Sequence, residues 1–92
     1  MSDIRIRRLH GKSLAEARAS AEHMATELNE EFDLSHSWNG NVMRFKRPGV
    51  SGDLTVDERD VALNIHLGLL LFALKPTIER EIHRFFDENF PV

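Results

Sequence analysis

Apolar residues recur along this chain with two different periods. Ile4 and Ile6 alternate with Asp3, Arg5 and Arg7, a period of two that predicts a half-buried strand over residues 3–9. Gly11-Lys12 breaks it. Ser13-Leu14-Ala15-Glu16 then has the form of a capping box, in which the Ser13 hydroxyl accepts from the Glu16 N–H and the Glu16 carboxylate reaches back. No Gly or Pro interrupts Leu14 to Phe32, and Leu14, Ala17, Ala21, Met24, Ala25, Leu28 and Phe32 fall on one helical face. At 1.5 Å per residue such a helix is about 30 Å long and should cross a sheet diagonally.

The period returns to two afterwards. Leu34–Trp38 and Val42–Lys46 flank Asn39-Gly40-Asn41, which suits a tight hairpin. Pro48-Gly49 and Gly52 are read as ending the third strand and making a second reversal. Leu54 and Val56 mark a fourth strand, Asp57–Asp60 a polar turn, and Val61, Leu63, Ile65 and Leu67 the clearest strand in the chain. After Gly68 comes the unbroken apolar run Leu69–Leu74. Pro76 then suits the first turn of a helix that carries Ile78, Ile82, Phe85 and Phe86 on one face through to Phe90. The order β-α-β-β-β-β-α with short connections predicts an α+β fold: one antiparallel sheet with two helices packed on one face. That face should carry Ile4, Ile6, Met43, Phe45, Leu54, Val56, Val61, Leu63 and Ile65.

Composition narrows the class. At 92 residues, residues 1–92 are expected to form a single domain. With 41% hydrophobic and 29% charged residues the chain is neither disordered nor fibrous. A net charge of −3 argues against a general nucleic-acid binder. Without cysteine there is no disulfide, thiolate metal site or cysteine nucleophile. Met1–Lys12 has no apolar core of a signal peptide, and Leu69–Leu74 is far too short for a transmembrane segment, so a cytoplasmic protein is expected.

Candidate chemistry is sparse. His10, His23, His36, His66 and His83 fall on five different elements without metal-ligand spacing, and are expected at the surface or at strand edges. Ser35 and Ser37 bracket His36 but should point away from it. Neither a nucleophile elbow nor a phosphate loop is present; Gly49-x-x-Gly52 reads as a turn. Arg5, Arg7, Arg44 and Lys46 should share the polar sheet face, where Asp53 and Asp57 offer counter-charges, so a solvated face with cross-strand ion pairs is expected. No catalytic residue, metal site or cofactor is predicted. Leu69, Leu70, Leu71, Phe72 and Leu74 exceed what one face of a helix or strand needs. Part should plug the core beneath the last helix and part should form an apolar contact surface, either for a homodimer or for a lipid, polymer or protein.

These residues also carry a resemblance. Ile4-x-Ile6-x-Arg8-x-His10, Glu16-Ala17-Arg18, Trp38-x-Gly40-x-x-Met43-x-Phe45, Gly49-Val50-x-Gly52, Leu67-Gly68-x-Leu70-Leu71 and Leu74-Lys75-x-x-Ile78-Glu79-Arg80-Glu81-Ile82 together resemble the putative polyhydroxyalkanoic acid system family, nearly end to end. The resemblance implies an association with polyhydroxyalkanoate granules and supplies no catalytic residue. The sheet with a long C-terminal helix is also similar to a reduced helix-grip fold, an analogy of architecture only. The expected function is a non-enzymatic accessory protein that binds the granule surface or a granule protein. The alternative is a carrier holding an acyl or hydroxyacyl group between the sheet and the C-terminal helix, and a pathway enzyme ranks last.

Overall fold

The computed structural model describes residues 2–91, with the side chains of Ser2, Asp3 and Leu70 outside that description. In chain order it contains β1 (Ser2–Leu9), α1 (Leu14–Phe32), β2 (Ser35–Asn39), β3 (Val42–Arg47), β4 (Val50–Val56), β5 (Asp60–Leu67), a 3₁₀ turn over Leu69–Leu74, and α2 (Lys75–Asn89). The five strands form one antiparallel sheet in the order β1-β5-β4-β3-β2. The chain is therefore α+β, with the element order that the periodicities predict.

Local chemistry sets the boundaries. Ser13 caps α1 through the full capping box, its hydroxyl accepting from Glu16 N–H at 3.2 Å while the Ser13 N–H donates to the Glu16 carboxylate. The helix ends at Asp33, which takes the left-handed conformation at φ 59° and donates its N–H to the Asn29 carbonyl at 3.0 Å. Pro48-Gly49 forms the second hairpin turn alone: Gly49 at φ +84° follows Pro48 as a type II turn demands. Gly52 departs from the expectation that it belongs to this reversal. It lies inside β4, opposite Phe45 on one side and Ile65 on the other. A Cβ there would stand 2.4 Å from the Asn64 carbonyl oxygen, so Gly52 serves close strand approach and not a turn.

One face of the sheet is buried under both helices. Ile4, Ile6, Met43, Phe45, Leu54, Val56, Val61, Leu63 and Ile65 are all buried there, as the alternation requires, joined by Val50 and Leu67. From above, α1 contributes Ala17, Ala21, Met24, Ala25 and Leu28, and α2 contributes Ile82, Phe85 and Phe86. Small alanines on α1 bring that helix close to the sheet, and the bulky phenylalanines of α2 fill the wider side. Phe32 meets Phe85 edge-on at 6.1 Å, tying the end of α1 to α2. The opposite sheet face carries neither helix.

Candidate functional site

The residues that carry the family resemblance meet in space, mostly in pairs. Arg8 lies on the inward side of β1 beyond Ile6, and its guanidinium donates to Asp87 at 2.8 Å and to the Phe90 carbonyl at 3.2 Å, 5.7 Å from the Phe86 ring. It clamps the end of α2 to the sheet. His10 is 4% exposed, contrary to the expectation of a surface histidine. Its Nε2–H donates to the Asp57 carbonyl at 2.7 Å and its Nδ1 accepts from Lys12 N–H at 3.0 Å, which fixes one neutral tautomer. Burial costs this ring little because both nitrogens are used.

A second group joins α1 to the edge strand β2. Arg18 lies 4.3 Å over the Trp38 ring and donates to the Gly40 carbonyl and to Asn41 Oδ1, each at 2.7 Å. Glu22, one helical turn on, accepts from Trp38 Nε1 and from His36 Nε2, both at 2.8 Å. The indole N–H, followed by the His36 ring, holds the Glu22 carboxyl below its ordinary value. The geometry is that of an anchor: His36 and Trp38 point inward where aliphatic residues would otherwise stand, and their polar edges are paired with the helix. Sequence reasoning missed this network. The i, i+2 spacing of His36 and Trp38 together with the i, i+4 spacing of Arg18 and Glu22 was its available signal.

Asn89 makes a third junction, with its side-chain amide bonded to His23, Glu27 and the Phe85 carbonyl. Among the described residues no group of three or more His, Asp or Glu side chains is placed to hold a metal ion.

The apolar run forms the remaining feature. Gly68 N–H donates to the Gly49 carbonyl at 2.7 Å, and Leu71 N–H donates back to Gly68. The Leu71 side chain packs on the core, and its Cδ1 would lie 3.4 Å from a Cβ at Gly49. Leu69, Phe72 and Leu74 project outward at 91%, 56% and 52% exposure. The side chain of Leu70 lies outside the described residues. Of the candidate contact residues, Leu71 is thus turned to the core, and Leu69, Phe72 and Leu74 are the ones that face outward. No described helix is long and apolar enough to cross a membrane.

On the open sheet face the expected ion pairs form only in part. Arg7 pairs with Asp60 at 2.6 Å. Asp57 lies in the β4–β5 turn and not on a strand, and Asp53 reaches Asn64 at 3.4 Å while its cross-strand neighbour Arg44 stays beyond ion-pair distance.

The fold and its surfaces thus define a small antiparallel α+β protein whose sequence motifs serve as junctions of the scaffold and which groups three exposed apolar residues, Leu69, Phe72 and Leu74, on one corner, with Leu9 exposed separately at the far end of β1. The chain belongs to the family described as putative polyhydroxyalkanoic acid system protein, whose profile matches residues 4–90. No curated protein matches the chain.

Proposed function

We propose that this protein is a cytoplasmic, non-enzymatic accessory of polyhydroxyalkanoate storage that binds the polyester granule surface through the Leu69–Leu74 corner. One observation carries the reading: Leu69, Phe72 and Leu74 are exposed together on a single 3₁₀ turn, and that turn is held to the sheet by Gly68 and Leu71. A granule-forming polyester is an apolar surface, and membership of a polyhydroxyalkanoic acid system family supports the choice of partner. Burying three such side chains contributes at most roughly 5–8 kcal/mol before association entropy is deducted. A single copy therefore binds weakly and reversibly.

The test is co-sedimentation with granules stripped of protein, comparing the wild type with a Leu69→Asp, Phe72→Asp variant whose fold is checked by circular dichroism. The wild type should pellet and the variant should stay in solution. Equal, negligible pelleting by both overturns the reading, and pelleting only with unstripped granules moves the contact to a granule protein. A second copy meeting at the same corner is the competing use, and a monomer by light scattering at high concentration removes it. For the carrier alternative, the space between sheet and α2 is already occupied by Phe45, Phe85, Phe86, Leu63 and Ile65, each 2% exposed or less.

A further inference from the structure

The sheet face turned away from the helices lines an open groove of about 880 Å³. Register arranges its side chains in rows. One row runs Arg5, Asn64, Asp53, Arg44, Ser37 from β1 to β2, and beside it His66, Ser51, Lys46 and Ser35 form the next. Direct cross-strand neighbours have Cβ atoms about 5 Å apart, so Arg44 opposite Asp53 is placed for an ion pair. That pair is not made. Among the described residues Arg44 and Lys46 have no acceptor within bonding distance, and the one partner of Asp53 is Asn64 Nδ2 at a long 3.4 Å.

We infer that the part of this groove between β3 and β4 is a binding site for a small hydroxylated carboxylate. Its carboxylate accepts from the Arg44 guanidinium and the Lys46 ammonium, and its hydroxyl donates to Asp53. The chemistry follows from what stands side by side: two cationic donors, one anionic acceptor, and the Ser51 hydroxyl opposite Lys46. A plain anion would satisfy the donors but face the Asp53 carboxylate. A zwitterionic amino acid would satisfy both but leave the excess positive charge uncompensated. Two cations against one carboxylate favour a ligand with a single net negative charge and a neutral donor. Arg5, three strands away and thus about 14 Å distant, adds to the field without contact. The site stands on sheet geometry and does not depend on the granule reading.

Titration of isotope-labelled protein by NMR tests it, with 3-hydroxybutyrate as the probe and butyrate, 3-aminobutyrate and inorganic phosphate as comparisons. The hydroxy acid should shift the amides around Arg44, Lys46, Ser51 and Asp53 saturably. Each comparison should bind about tenfold more weakly, the worth of one charge-assisted hydrogen bond. An Arg44→Ala, Lys46→Ala variant should lose the shifts while keeping the circular-dichroism spectrum and melting temperature of the wild type, and Asp53→Ala should lose the preference for the hydroxyl. No saturation at high millimolar probe, equal binding of butyrate or phosphate, or an unchanged titration of the double variant overturns the inference.

Discussion

Gly52→Ala is expected to be among the most damaging single-methyl additions this fold can receive. The added Cβ would meet the Asn64 carbonyl oxygen at 2.4 Å, the Ile65 Cα at 3.1 Å and the Ile65 Cγ1 at 3.1 Å. An ordinary carbon–oxygen contact is about 3.3 Å or more, so β4 and β5 must separate locally by close to 1 Å. Two of the three obstacles are backbone and cannot swing aside. The separation weakens one or two ladder hydrogen bonds at about 1 kcal/mol each, and the Ile65 side chain must repack at a cost of about 1–2 kcal/mol. Alanine recovers about 0.4–1 kcal/mol by restricting the unfolded chain. The net loss is about 2–3 kcal/mol, or roughly 10–20 °C in Tm for a domain of this size. Gly40→Ala is the matched control: its Cβ would meet nothing within 4 Å, but φ is +63°, which costs about 1–2 kcal/mol. Urea unfolding of both variants measures the difference through the midpoint at constant slope. A Gly52→Ala protein at least as stable as Gly40→Ala would refute the close-approach argument.

Four other substitutions probe the junctions and the corner. Arg8→Ala should cost about 1–2 kcal/mol in urea unfolding, because the Phe90 carbonyl loses its donor and the buried stem its packing; hydrogen exchange should rise in the last turn of α2 first. Glu22 is held below its ordinary carboxyl value of 4.5 in the folded state, so it contributes stability above that pH and loses it as pH falls through the lowered value. Glu22→Gln should therefore flatten the decline of stability on acidification below about pH 4.5, and an equally steep decline would contradict the role assigned to the Trp38 and His36 bonds. Leu71→Ala should destabilise by about 1–2 kcal/mol while Leu69→Ala stays within about 0.5, a contrast that thermal melts resolve and that vanishes if the 3₁₀ turn is rotated.

Much of the scaffold is legible from short-range rules. The capping box at Ser13, the alternation of β5 and the helical stripe from Ala17 to Leu28 each have a local cause, and each appears in the fold as read. What escapes is long-range. Gly52 looks like turn material because the clash that demands it comes from Asn64, twelve residues away in sequence. His10 looks like a surface residue because its two partners come from the loop that follows it and from the distant β4–β5 turn. The candidate corner was legible as an excess of apolar residues, but which of them face outward depended on Leu71 finding Gly49. The polar sheet face looks, from sequence, like a row of paired charges; the alternation of β1 and β3 places its cations, whereas the failure of Arg44 to close on Asp53 has no trace in the sequence.

The bond from Gly68 to Gly49 has a mechanical consequence. A surface that tugs on Phe72 pulls on a turn whose capping residue, Gly68, is stitched to the tip of the β3–β4 hairpin and whose Leu71 is wedged against the same spot. The load passes into two neighbouring strands at their ends, along the direction in which a sheet is stiffest, instead of being absorbed by a loose joint. If the corner is the point of attachment proposed above, the tilt of the whole molecule is set by it, and with it which sheet edge and which face are turned toward the surrounding solution.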